Sequence, residues 1–176
     1  QLSKYYLWRK PVATVLRALP RVLARHPSTR LLIVGRQADG YPALSDLAAN
    51  LNVESAVRFL GPISEDEKIA VLRSAFAYVQ PTIHEAFGVA IAEAMSCGLP
   101  VVTSPAGAVP EVVGDCGLYA GAGDVAGFAE RILHLLDNPR LAAELGRRAR
   151  ERVVARFSIS ERRRGLGTVL SSLYPG

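Results

Sequence analysis

Short apolar runs alternate with amphipathic helical stretches along nearly the whole chain, and that alternation leaves few folds open. Arg30 to Val34 is apolar and ends in Gly35, Ala56 to Leu60 breaks at Gly61-Pro62, and Phe76 to Gln80 breaks at Pro81. Val101 to Thr103 and Leu118-Tyr119 are shorter runs of the same kind. Brief apolar runs closed by Gly or Pro are the pattern of strands buried on both faces. Between them, Pro11 to Arg25 repeats Val12, Val15, Leu16, Leu19 and Leu23 at helical spacing and stops at His26-Pro27. Ala43 to Leu51 is helical. Ser64 followed by Glu67 predicts a capping box ahead of Ile69, Val71 and Leu72. Val89 to Cys97 reads as a helix closed by Gly98 as C-cap, with Pro100 beyond. Val109 to Val113 is a short helix, Asp124 caps one through Leu136, Asn138-Pro139 opens another to about Ala155, and Ser158 or Ser160 opens the last, over about 158–173. Strands separated by helices make βαβ units and a parallel sheet. Right-handed crossovers then give an α/β fold, an open doubly wound parallel sheet with helices on both faces. In such a fold ligands sit at the carboxyl ends of the strands. The 176 residues suit one domain, spanning 1–176, with a substantial core.

Composition removes several classes of function. Hydrophobic residues are 49% and charged residues 21%, the balance of an ordinary globular protein. No apolar stretch approaches the roughly 20 residues of a membrane span. Gln1 to Pro11 is mixed aromatic and basic, unlike a signal peptide, and a chain that begins with Gln rather than Met reads as a piece of something longer. Cys97 and Cys116 are too few for a disulfide framework, which points to a reducing, cytoplasmic setting. His26, His84 and His134 are scattered and give no metal-binding motif. No metal is expected.

One loop carries chemistry. In Pro81-Thr82-Ile83-His84-Glu85-Ala86-Phe87-Gly88, then Val89 to Met95, a loop becomes a helix between two carboxylates, Glu85 and Glu93. A helix that opens after a strand and a glycine offers free N–H groups and a positive dipole end, a seat for phosphate. Carboxylates do not bind phosphate. They accept hydrogen bonds, which suits hydroxyl-rich parts of a ligand. The run therefore predicts a ligand with both phosphate and sugar hydroxyls.

The blocks Arg30-Leu-Leu-Ile-Val-Gly35, Val57-Arg-Phe-Leu-Gly61, Glu85-Ala-Phe-Gly88, Glu93-Ala-Met-Ser-Cys-Gly-Leu-Pro-Val-Val102 and Pro110-Glu-Val-Val113 resemble, in that order, the C-terminal half of retaining GT-B glycosyltransferases of the group 1, or family 4, type. The resemblance runs from about Lys4 to the C-terminus. It implies a Rossmann-like domain, one half of a GT-B fold, that binds a nucleotide-sugar donor carrying UDP, GDP or ADP. Glu93 matches the glutamate that accepts from ribose hydroxyls, and Glu85 the one at the donor sugar. Phe87, Gly88 and Val89 match the turn whose amides approach the diphosphate. Lys10 matches the basic residue that neutralises it, and Lys4 stands where the family has an Arg, keeping the charge without the bidentate fork. Ala86 replaces a usual Gly. Arg58, Phe59 and Leu60 match the strand end near the nucleobase. A helical rise of about 1.5 Å per residue puts Glu93 roughly 6–8 Å beyond the helix start, one step from the diphosphate, as a ribose would be. The resemblance implies metal-independent hexosyl transfer with retention. The acceptor, a sugar or a lipid-linked one, would sit on an N-terminal domain absent from this chain, onto which the last helix would pack, so the chain alone is expected to bind donor and transfer nothing. Alternatives from other classes are a non-catalytic nucleotide or sugar-phosphate binding module, and another GT-B enzyme such as a nucleotide-sugar epimerase or phosphorylase.

Other residues admit plainer readings. Glu85 could cap a helix and Glu93 could be solvated surface. His84 is a base or a structural loop residue, Cys97 a small residue at a helix end. Glu111 either orients the Ala106-Gly107 loop or caps its own short helix. The net charge is +5, and arginines crowd the C-terminal part from Arg140 to Arg164. That basic face reads as solvated, as a docking surface for another domain, or as attracted to anionic lipid in peripheral membrane contact. It lacks the aromatic interleaving and the recognition module of a nucleic-acid binder.

Overall fold

A computed structural model of the chain describes residues 11–35, 40–161, 163, 164 and 167. The elements run α1 (Val12–Arg25), β1 (Leu31–Val34), α2 (Tyr41–Asn50), a 3₁₀ turn (Glu54–Ala56), β2 (Val57–Gly61), α3 (Glu65–Ser74), β3 (Tyr78–Gln80), α4 (Val89–Ser96), β4 (Val101–Thr103), α5 (Val109–Val113), β5 (Gly117–Tyr119), α6 (Val125–Asp137) and α7 (Pro139–Phe157). Every strand pairing is parallel, as the alternation requires. Among the described residues the ladders form two groups, β1–β2 and β3–β4–β5. An apolar cavity of about 520 Å³ lies between them, with Leu31 and Val34 on one side, Ala77 and Val79 on the other, and Val15 and Leu19 of α1 beneath.

The helices bury the stripes that their periodicity marks. Leu16, Leu19 and Val22 of α1 join Ile33, Leu44, Val57 and Leu133 in a core that covers the β1–β2 pair. Ile91, Ala94 and Met95 of α4 pack with Val101, Val112, Ala149 and Val153 around the second group. Phe128, Leu135 and Leu145 enclose Val102 and Ala18, so α6 and α1 tie the two halves together. Burying one such aliphatic or aromatic side chain is worth about 1.5–3 kcal/mol.

The local signals act as expected. Ser64 and Glu67 form the reciprocal capping box at α3. Asp124 accepts from the Gly127 amide at 2.8 Å and caps α6. Gly98 takes a positive φ of 79° just past α4. The Ser158 hydroxyl accepts from the Glu161 amide at 3.4 Å where helical backbone resumes at Ile159, and most of the last helix expected over about 158–173 falls outside the described residues. Several boundaries move by one or two residues; α2, for example, starts at Tyr41 where the sequence suggests Ala43. β3 starts at Tyr78 because Phe76 is 46% exposed after the extended end of α3 at Ala75. Helix α7 runs on to Phe157, whose ring meets Phe87 edge-on at 5.4 Å.

Candidate functional site

Strand β3 delivers the Pro81–Phe87 loop to the carboxyl edge of the second sheet, and Gly88 turns that loop into α4. Gly88 is the N-cap at φ 91° and ψ 45°, left-handed backbone that a side chain makes costly. No side chain caps the first turn of α4. Its amides and its dipole end are thus open to an external acceptor. Val89 beside them is 61% exposed and Phe87 39% exposed.

The loop is held from below. The Thr82 amide donates to the Ser104 hydroxyl at 3.3 Å, and the Ala108 amide donates to the Glu85 carbonyl at 3.1 Å. At Gly107, φ is 57° and a Cβ would overlap that same Glu85 carbonyl, so glycine is what lets the α5 entry lie against the loop. The Glu85 carboxylate accepts from the Gln80 side-chain amide at 3.3 Å, and the Gln80 oxygen accepts from the buried Tyr78 hydroxyl at 2.7 Å.

Glu93 lies further along α4 and meets Lys68 of α3 at 2.8 Å. The Lys68 ammonium also bonds Glu65 at 2.7 Å, and its side chain is only 15% exposed. Burial works against its charge, but hydrogen bonds to Glu65 and Glu93 outweigh that and hold its pKa above the ordinary lysine value. Glu85 thus precedes α4 and is met by the neutral amide of Gln80, while Glu93 stands within the helix and is met by an ammonium.

Not every candidate reaches this place. Lys4 and Lys10 lie outside the described residues. Arg58 folds back onto the Val57 carbonyl at 3.1 Å, and the Phe59 ring stands edge-on to Tyr41 at 5.1 Å, within the first core. Leu60, at 41% exposure, and Arg58 both meet solvent. His84 is exposed, and its carbonyl accepts from the Thr82 hydroxyl at 3.1 Å. Cys97 is the half-buried C-cap of α4. Glu111 caps nothing with its side chain. Sequence reasoning missed Gln80 and Lys68, and it named Gly107 only as part of the Ala106-Gly107 loop. Gln80 alone left a signal, as the polar residue that closes an apolar strand.

The basic C-terminal face has work of its own. Arg152 donates through Nε to the Val112 carbonyl at 2.9 Å and through Nη2 to the Glu111 carbonyl at 2.7 Å. Arg150 reaches the Ser96 carbonyl at the end of α4, and Arg148 pairs with Asp115. The Arg150 and Arg152 guanidinium groups satisfy carbonyls of α4 and α5 near their C-termini, where a cation is favoured. This structural reading was not among those the sequence suggested.

No group of three or more His, Cys, Asp or Glu side chains comes together among the described residues. No helix among them is long and apolar enough to cross a membrane.

Comparison with known proteins agrees with this architecture. The model of the family "Glycosyl transferases group 1" matches residues 3–152. The chain is 37% identical to glycogen synthase of Mycobacterium tuberculosis over 152 residues, 85% of this chain and 36% of that protein. It is 36% identical to a phosphatidyl-myo-inositol mannosyltransferase of Mycolicibacterium smegmatis over 157 residues, 86% of this chain and 39% of that protein. The fold superimposes on Anabaena HepE, solved in complex with UDP, with a TM-score of 0.88 at 24% identity, covering 97% of this chain and 47% of that one. The chain thus spans less than half the length of these relatives. With its parallel α/β architecture, and with Glu85 before α4 and Glu93 within it, the chain belongs to the group 1 glycosyl transferases, as a GT-B C-terminal half.

Proposed function

We propose that this chain is the donor-binding half of a retaining, metal-independent hexosyltransferase. The observation that carries the reading is the uncapped N-terminus of α4, opened by left-handed Gly88 and flanked by Glu85 and Glu93. The diphosphate of a nucleotide sugar sits at the Phe87-Gly88-Val89 amides, with Lys10 and Lys4 neutralising it. Glu93 accepts from the ribose hydroxyls, and Glu85 accepts from hydroxyls of the transferred sugar. The nucleobase lies near the end of β2, at Arg58 to Leu60. As the glycosidic bond breaks, charge grows on the leaving diphosphate, and fixed amides and cations stabilise it without reorganising. The acceptor, a sugar or a lipid-linked one, is held by another domain. The mannosyltransferase relative is named for transfer to phosphatidyl-myo-inositol, which supports a lipid acceptor as one option. UDP, GDP and ADP remain the donor nucleotides to compare, and a HepE structure with UDP-glucose puts UDP first in the panel.

The test is a thermal-shift and calorimetric panel of nucleoside diphosphates and nucleotide sugars on the 176-residue chain. At least one nucleoside diphosphate raises the melting temperature, and Glu93→Ala weakens its binding roughly tenfold, the loss of hydrogen bonds to a charged acceptor. Equal stabilisation of wild type and Glu93→Ala sinks the ribose assignment.

A further inference from the structure

We propose that Gln80 is a positioning residue for the carboxylate at the transferred sugar, and that the Tyr78 hydroxyl sets its orientation. This rests on the reading of Glu85 given above. Gln80 is the last residue of β3 and is fully buried. Its carboxamide can in principle be turned either way, but its neighbours decide. An ionised Glu85 can only accept, so the amide N–H₂ must face it. The amide oxygen then faces Tyr78, whose hydroxyl, 2.7 Å away and buried, must donate. The main chain adds a third restraint: the Gln80 carbonyl accepts from the Thr103 hydroxyl of β4 at 2.8 Å. Tyr78 is itself 3% exposed, so neither partner has room to swing.

A buried glutamine needed only for the core would be satisfied within the core. Here one of its donors reaches out, across 3.3 Å, to a half-buried carboxylate on the loop before α4. That contact sets the rotamer of Glu85 before any ligand arrives. A carboxylate has about four acceptor sites, so the Gln80 N–H can orient it without using up its capacity to accept. The Tyr78–Gln80–Glu85 relay thus carries the rigidity of the β3–β4 ladder to the sugar end of the site. Its hydrogen bonds run through side chains of β3 and the loop, and the diphosphate is expected at the backbone amides of α4.

The relay should therefore act on the sugar and spare the diphosphate. Calorimetry on the full chain compares UDP with UDP-glucose, GDP with GDP-mannose and ADP with ADP-glucose, and reads how much affinity the sugar adds in the pair that binds. Gln80→Met, close in length but without the amide, is expected to lose roughly three- to tenfold in nucleotide-sugar affinity, while the diphosphate changes less than twofold. Tyr78→Phe, which keeps Gln80 but frees its amide, shifts the same ratio in the same direction by less. Circular dichroism melting shows whether each variant is folded, and Tyr78→Phe decides the matter if Gln80→Met does not fold. Glu85→Gln separates the two layers of the argument. If Glu85→Gln removes the sugar increment while Gln80→Met and Tyr78→Phe keep it, the relay is overturned and the Glu85 reading stands. If both relay variants weaken diphosphate and nucleotide sugar equally, the role is structural and the proposal is overturned. If Glu85→Gln keeps the increment, or the wild type has none, the Glu85 reading fails and the relay with it. A wild type that binds no member of any pair overturns the donor reading itself.

Discussion

Lys68 and Glu93 stand 25 residues apart in sequence, on α3 and α4, and meet through a 2.8 Å ion pair. The pair has a direction. Lys68 is also bonded to Glu65, so its position is set from its own helix, and Glu93 is the group that gains an orientation. Because the folded pKa of Lys68 is raised, its contribution to stability is fully present below the ordinary lysine value near 10.4 and is lost only as pH rises through the folded value. The pair is thus intact throughout the neutral range. If Glu93 reads the ribose diol, removing the ammonium should blur that reading more than it weakens the fold. Lys68→Met is expected to reduce the preference for a ribonucleoside diphosphate over its 2′-deoxy form by roughly three- to tenfold. Calorimetry with the two nucleotides checks this, and an unchanged ratio would leave Lys68 as a surface tether only. Nothing local in the sequence could have shown the pair. Glu65 and Lys68 are visible as i,i+3 neighbours, but Glu93 lies on a different helix. The same is true of Arg152, which reaches the carbonyl of Val112, 40 residues away.

At the level of elements the sequence is far more legible, because caps and periodicities act within one helix turn or one strand. The capping box at α3 is the clearest case. Ser64 donates its amide to Glu67 at 2.7 Å, and the Glu67 amide donates back to the Ser64 hydroxyl at 3.3 Å. The bond from the Ser64 amide, then that from its hydroxyl, holds the Glu67 carboxyl below the usual carboxylate range. A depressed acid contributes stability above its unfolded pKa, near 4.3, and loses it as pH falls through the lower folded value. Ser64→Ala is therefore expected to lower the melting temperature by about 2–4 °C near neutral pH. That deficit should shrink in acid, where the wild type also loses its box. Differential scanning calorimetry at neutral and acid pH checks both parts, and a deficit independent of pH would mean that the carboxylate takes no part. The strand and helix order, the Asp124 cap and the Gly98 stop were legible for the same reason. The separation of the parallel ladders into two groups was not, since each apolar run shows only that it is a strand and says nothing of its neighbour.

At the scale of the whole molecule, the candidate site is open on one side among the described residues. Ile83 is 58% exposed, Val89 61% and Phe87 39%, so the residues around the start of α4 meet solvent instead of a second wall. Sugar transfer through an oxocarbenium-like state needs a site from which water is excluded, both to strengthen its electrostatics and to keep water from taking the sugar. One face cannot do that. The relatives, more than twice as long as the matched region, have the chain length for another domain. The arginine tethers from α7 to α4 and α5 make the described half a fixed platform, and Phe157 joins the end of α7 to the turn before α4 through its ring contact with Phe87. A fixed platform should bind before it reacts. The 176-residue chain is therefore expected to be stabilised by the nucleotide that it prefers, yet to release no sugar to water or to any added sugar or lipid acceptor above the rate without protein. Chromatographic detection of free and transferred sugar, run beside the thermal shift on the same sample, reads both halves of this expectation. Stabilisation without turnover fits a donor platform. Turnover by the chain alone would show that one open face is enough, and the division of labour proposed here would have to be abandoned.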